Sequence, residues 1–268
     1  MKRVRVLPPR GQLIVSTDLH GNLEDWQALK AIFESGGDDL HWIVLGDLVH
    51  GPDIETAKQQ PRLYGFTDDS ALLVEELHAV WKQHPDRVHF VLGNHDAGHL
   101  GFRHTTKFHA DEVEFLEARM TVEQRARMNE LFSSAALVVL APCGLVFSHG
   151  SGGDAVTSLA ALEGELPPNT DARRVAIGEL LWCYGQKREV TERLLERIRT
   201  ESGLDVRVVV HGHDRDESGW FTEGDNQVQP VIFGAPRKNK RYLLVDLAAR
   251  YDSVTALRED HEVLRLHP

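Results

Sequence analysis

Five short segments hold most of the side chains that could bind a metal ion or move a proton: residues 17–22 (TDLHGN), 46–51 (GDLVHG), 93–96 (GNHD), 148–153 (SHGSGG) and 211–214 (HGHD). Each follows a run of β-forming residues, and together they offer Asp18, His20, Asp47, Asn94, His149 and His213 as donors. Mixed carboxylate, imidazole and amide donors suit manganese, iron or zinc better than a thiolate-preferring or all-oxygen site would. Six ligands are too many for one tetrahedral centre, so the set implies two ions that share a carboxylate. Asp18, His20 and Asp47 then hold one ion, and Asp47, Asn94, His149 and His213 the other. His211 precedes the glycine of the last segment, and His213 is ranked ahead of it as the ligand.

A parallel sheet would bring such loops together. Residues 12–16 (QLIVS) form a strand, and Leu23, Trp26, Leu29, Ile32 and Phe33 follow at helical spacing up to Gly36 and Gly37. Residues 41–45 make a second strand, 70–84 a helix with Leu73, Leu77, Val80 and Trp81 on one face, and 88–92 a third strand. This β-α-β-α-β alternation builds a parallel sheet whose ligands sit beyond the carboxyl ends of its strands. Further on, 110–132 reads as helix in two pieces, with Thr121 and Gln124 spaced as a capping box. Strands at 136–140 and 145–148 flank a turn at Pro142 and Gly144, 151–170 is a surface excursion, and helices cover 171–182 and 189–202. Strands at 206–210, 231–233, 242–245 and 254–257 then suggest a second sheet. No repeat, low-complexity tract or linker divides the chain, which is expected to form one domain over residues 1–268.

The 268 residues include 41 acidic and 30 basic side chains, a net charge of −11, and 41% are hydrophobic. That balance fits a folded globular chain. It disfavours a nucleic-acid partner, which would call for clustered Lys and Arg. No apolar run spans a bilayer and no signal-type segment opens the chain, so no membrane is expected and a cytoplasmic location is the default. Cys143 and Cys183 cannot build a disulfide framework.

The five segments, in this order, resemble those of the calcineurin-like metallophosphoesterases, and within them the bacterial-type phosphoprotein phosphatase (PPP) branch. The resemblance runs from about residue 13 to 246 and takes in LLWCYG (180–185) and IFGAP (232–236). It implies an α/β fold: a central β-sandwich flanked by helices, with a dinuclear metal site at the strand ends. It also implies two divalent transition-metal ions, manganese foremost, which ionise a bridging water for in-line attack on phosphorus. His95 takes the part of general acid beside Asn94, and Asp96 supports it.

One departure stands out. Where the family carries an arginine shortly after the bridging Asp, within GDxVDRG or GDLVxRGP, this chain reads GDLVHGPD. It thereby loses a bidentate phosphate clamp and, relative to the protein phosphatases, the carboxylate that orients the general acid. His50, Arg103, Arg188 and Arg237 are the candidate replacements. His41, His78, His84 and His89 fit structural roles, while His99, His104 and His109 follow GNHD closely enough to reach the cleft. The resemblance implies a phosphatase acting on a phosphorylated protein or a small phosphomonoester. A diadenosine polyphosphate hydrolase and a non-catalytic metal-binding scaffold are the alternatives.

Overall fold

A computed structural model describes residues 2–267. Its strands are β1 (Val4–Val6), β2 (Gln12–Ser16), β3 (Leu40–Val44), β4 (Val88–Phe90), β5 (Val138–Ala141), β6 (Leu145–Ser148), β7 (Val208–His211), β8 (Trp220–Glu223), β9 (Gln227–Pro230), β10 (Arg241–Asp246) and β11 (Val263–Arg265). One sheet has the order β11-β10-β2-β3-β4 and the other β1-β5-β6-β7-β9-β8. The α-helices are α1 (Leu23–Ser35), α2 (Ile54–Gln59), α3 (Pro61–Tyr64), α4 (Ser70–Gln83), α5 (Asn94–Ala97), α6 (Glu112–Glu117), α7 (Val122–Ser134), α8 (Asp171–Trp182) and α9 (Arg188–Ser202).

Strand alternation builds the layers, because successive side chains leave opposite faces of a sheet. Leu13 and Val15 of β2 share one buried cluster with Ile43 of β3, Phe147 of β6 and Val208 and Val210 of β7, so the two sheets face each other across it. The intervening Ile14, Trp42 and Val44 face outward, onto Trp26 and Leu29 of α1 and Leu73 and Leu77 of α4. The Trp26 and Trp42 rings stack at 4.9 Å. On the far side, Val146 and Val209 meet Leu180 of α8 and Leu194 and Leu195 of α9. The result is the expected pair of sheets flanked by helices.

Two parallel groupings set the site. β2, β3 and β4 run parallel, with Ser16 opposite Val44 and Val44 opposite Phe90. β6 and β7 also run parallel, with Ser148 opposite His211. The loops leaving these strands therefore emerge on neighbouring ends.

The last quarter differs from the sequence expectation. It does not make a sheet of its own: β7, β8 and β9 complete one sheet, while β10 crosses over to lie antiparallel to β2, with Leu243 opposite Val15. Residues 231–233 follow β9 without forming a strand, and Val254–Ala256 is a short 3-10 turn. An apolar strand shows its period but not its partner. The β8–β9 hairpin escapes pattern reading because QVQP is polar in sequence and yet fully buried.

Candidate active site

Asp18 and His20 follow β2, Asp47 follows β3, Asn94 and His95 open α5 after β4, His149 follows β6 and His213 follows β7. Asp18, His20, Asp47, Asn94, His95 and His213 line one cavity of about 300 Å³. His149 sits behind it, with Nε2 3.5 Å from Asp47 Oδ1 and 2.9 Å from Asn94 Oδ1. His20 Nε2 lies 3.6 Å from Asp47 Oδ2. Among the described residues three groups of donors converge: His20–Asp47–His95 and Asp47–His149–His213, which share Asp47, and His50–His95–Glu112 behind them; Asp18 joins none of the three.

Backbone contacts fix which ring nitrogens face inward. His20 Nδ1 is 3.1 Å and 3.0 Å from the carbonyls of Val49 and His50, and His149 Nδ1 is 2.7 Å from that of Leu45. Each Nδ1–H donates outward, and each Nε2 presents a lone pair. Those lone pairs face the carboxylate of Asp47 and, for His149, the amide oxygen of Asn94. Acceptors crowded against acceptors are what a bound cation reconciles, so the donor set fits a pair of divalent metal ions. Burial raises the carboxyl of Asp47, reinforced by Asp18 and Asp96, and burial lowers the imidazoles of His20 and His213.

The loops hold this arrangement under strain. Asp18, His20, Asp47, His50 and His213 all adopt positive φ, between 45° and 75°, which is rare outside glycine and clusters at functional sites. Gly93 is needed for close approach, because a Cβ there would lie 2.2 Å from the backbone nitrogen of Asp47. Asp96 is fully buried and accepts from the backbone N–H groups of Gly93, Asp47 and Leu48 at 3.0, 2.8 and 2.9 Å. It ties the loops together and does not line the cavity.

The replacements considered for the lost arginine separate cleanly. Arg103 lines the cavity, its guanidinium 5.8 Å from the Trp182 ring centroid. His50 does not: it is buried behind His95, with Nε2 3.0 Å from His99 Nε2. Arg188 pairs with Asp225 at 2.6 Å and Arg237 with Glu24 at 2.9 Å, both on the surface and outside the cavity. Sequence spacing could not reveal this, because an exposed arginine finds whichever carboxylate its own helix or turn brings close.

Three further charged residues enter the site that sequence reading did not name. Lys107 and Arg215 line the cavity. The Lys107 ammonium lies 4.3 Å from the Phe233 ring centroid, and desolvation, together with Arg215, lowers its pKa. Arg215 donates to the Tyr64 hydroxyl at 3.0 Å. The available signals were slight: Arg215 directly follows HGHD, and Lys107 ends a short polar run after GNHD. The third residue, Glu112, is fully buried, with Oε2 3.1 Å from His95 Nδ1. Burial works to raise its carboxyl, but His95, Thr105 and the Phe108 N–H hold it down at about 2.

The remaining histidines divide as follows. His104 lines the cavity and pairs with Asp111, His109 stacks on Phe115 away from the cavity, and His99 lies behind His50. His41 and His89 stack within their sheet at 6.1 Å, His78 pairs with Glu130, and His84 packs on Phe33. His211 is buried and joins none of the donor groups. A larger groove of about 1120 Å³ lies elsewhere, over α2 and α4, and contains none of the six metal donors.

The family model for calcineurin-like phosphoesterases matches residues 12–216. Among solved structures, a protein serine/threonine phosphatase from Saccharomyces cerevisiae with similarity to human phosphatase PP5 is 18% identical. The match covers 91% of this chain and 76% of that one, with a TM-score of 0.60. A cold-active protein-tyrosine phosphatase of a psychrophilic Shewanella is 12% identical over 92% of this chain and 78% of its own, with a TM-score of 0.58. At such identities the likeness is one of fold.

Proposed function

The chain belongs to the calcineurin-like phosphoesterase family, and from that premise we propose that it hydrolyses phosphomonoesters, on a phosphorylated protein or a small molecule. The observation that carries this reading is the meeting of two opposed sets of side chains in one small cavity. Asp18, His20, Asp47, Asn94 and His213 line the space with His149 behind them, and Arg103, Lys107 and Arg215 line the same space.

The two divalent ions those donors would hold supply a water ionised near neutral pH and draw charge from the phosphoryl oxygens. The protein's own groups do the rest. Lys107 and Arg215 take the phosphoryl oxygens that face away from the donors, and Arg103 closes the rim against Trp182. These cations do the work of the missing bidentate clamp without occupying its place in sequence. His95 turns Nε2 toward the cavity, 4.0 Å from Asp47 Oδ2, and hands its proton to the leaving oxygen. Trp182 and Tyr184, 38% and 61% exposed, offer apolar surface to the group that carries the phosphate.

The cavity, about 300 Å³, is at the small end for ligand sites, enough for a phosphoryl group and part of its alcohol. The deciding experiment is a manganese-supplemented panel of p-nitrophenyl phosphate, phosphoserine, phosphothreonine and phosphotyrosine peptides, and diadenosine tetraphosphate. Turnover of the monoesters well above that of the dinucleotide is the expected result. The reverse order would transfer the reading to a dinucleoside polyphosphate hydrolase, and no turnover of any member would leave a metal-binding scaffold.

A further inference from the structure

We infer that Glu112 positions His95 for proton donation, as a carboxylate supplied by α6 where the loop after β3 supplies none. The inference rests on the reading of His95 as general acid.

Glu112 is the first residue of α6, behind the N-cap Asp111, and none of it is exposed. Its Oε1 accepts from the Phe108 backbone N–H at 2.8 Å. Its Oε2 lies 3.1 Å from His95 Nδ1 and 3.6 Å from His50 Nδ1, and no hydrogen bond reaches it among the described residues. A buried carboxylate oxygen left without a donor is costly. The nearest group that can donate to it is His95 Nδ1–H, and a small turn of the ring aligns the pair with Nε2 still facing the cavity. A carboxylate behind an imidazole fixes the ring's orientation and stabilises its cation.

The surroundings leave few other partners. Thr105 Oγ1 is 3.2 Å from His95 Nδ1, a neutral neighbour that can share the proton but not its charge. His50 packs against the other side of Glu112 and continues to His99, whose Nδ1 is 2.8 Å from Glu117 Oε1. His50 thus fills the space behind the dyad and does not reach substrate. In the reaction, water adds its oxygen to phosphorus and the ester P–O bond breaks. The electron pair of that bond goes to the leaving oxygen, which takes the Nε2 proton, so the products are phosphate and alcohol. The ring is left neutral with Nδ1–H still on Glu112.

The test compares Glu112→Gln, Glu112→Asp, Thr105→Val, His95→Ala and the His95→Ala/Glu112→Gln double variant on an alkyl phosphate and on p-nitrophenyl phosphate, with metal content and melting temperature alongside. Glutamine keeps the acceptor for Phe108 but loses the charge. The expected result is a fall in kcat of about 10- to 100-fold for the alkyl ester, under about threefold for the aryl ester, with KM and metal content unchanged. Glu112→Asp, one methylene shorter, should fall between, and it carries the test if the glutamine variant does not fold. In the double variant the second change should add nothing. A downfield ring-proton resonance that disappears in His95→Ala should disappear in Glu112→Gln as well. Equal losses on both esters, an additive double variant, loss with Thr105→Val in place of Glu112→Gln, or a third metal equivalent bound through His50 would each overturn the inference. If His95→Ala keeps the parent's alkyl-to-aryl ratio, the general-acid reading itself fails and takes this one with it. A selective His95→Ala beside an unaffected Glu112→Gln sinks the Glu112 inference alone.

Discussion

His149 Nδ1–H donates to the carbonyl of Leu45, 2.7 Å away, which leaves Nε2 of the neutral ring as a lone pair turned toward Asp47. That fixed tautomer makes His149 a ligand in waiting, while Asp47 stands between it and His20. His149→Ala should therefore cost one ion and Asp47→Asn most of both, out of about two per chain in the parent. Elemental analysis after manganese loading checks this directly. Manganese at a hundred times the Kd of each site should also stabilise the parent by about 2.7 kcal/mol for each ion held, and Asp47→Asn should show little of that gain.

Lys107→Ala and Arg215→Ala should each weaken inhibition by inorganic phosphate by about tenfold, the loss expected for a charge-assisted hydrogen bond of roughly 1.5 kcal/mol. Arg188→Ala and Arg237→Ala, whose guanidiniums are engaged by Asp225 and Glu24, should bind phosphate as the parent does. Inhibition constants from steady-state kinetics separate the two pairs, and equal effects across all four would count against the cavity assignment.

Acid should weaken the fold partly through His89. Its ring is buried in β4 with neither nitrogen hydrogen-bonded among the described residues, and burial lowers its pKa to about 3. The unfolded chain binds the proton near pH 6.5, well before the folded chain does. The His89 contribution is therefore intact above pH 6.5 and is lost as pH falls from there toward 3, by at most about 1.4 kcal/mol per unit. His89→Leu should flatten that limb, and urea midpoints at pH 7.5 and 5 for both proteins measure the difference.

Asp25 in the first turn of α1 pairs with Lys240 Nζ and accepts from His267 Nε2 at 2.7 Å, all three buried. Removing the carboxylate leaves the Lys240 ammonium buried without its partner. Asp25→Ala should accordingly cost about 3 to 5 kcal/mol in chemical denaturation. Asp25→Leu combined with Lys240→Met should recover much of that loss.

The convergence of the candidate metal donors was legible because each lies in a short contiguous motif directly after a strand, and parallel strands deliver such loops to one end of a sheet. Strands β2, β3 and β4, α1, α4 and the Thr121 capping box of α7 were legible for similarly local reasons, namely period, stop signals and cap spacing, whereas the three-residue β1 was not. Glu112 was not, because its partner His95 lies on another element and nothing near Glu112 in sequence marks it as more than a first-turn acid. Lys107 and Arg215 share that obscurity: a cation's place in a cavity is decided by packing of distant segments such as Phe233 and Tyr64. The sheet that β10 would join was hidden for the same reason, since its apolar alternation suits either one.

The backbone nitrogen of His213 donates to Asp18 across 195 residues of chain, at the seam where the two sheets meet. A chain that has docked only the sheet of β2, β3 and β4 presents Asp18, His20, Asp47 and Asn94 but neither His149 nor His213. The full set of donors therefore exists only where the two sheets are docked on each other.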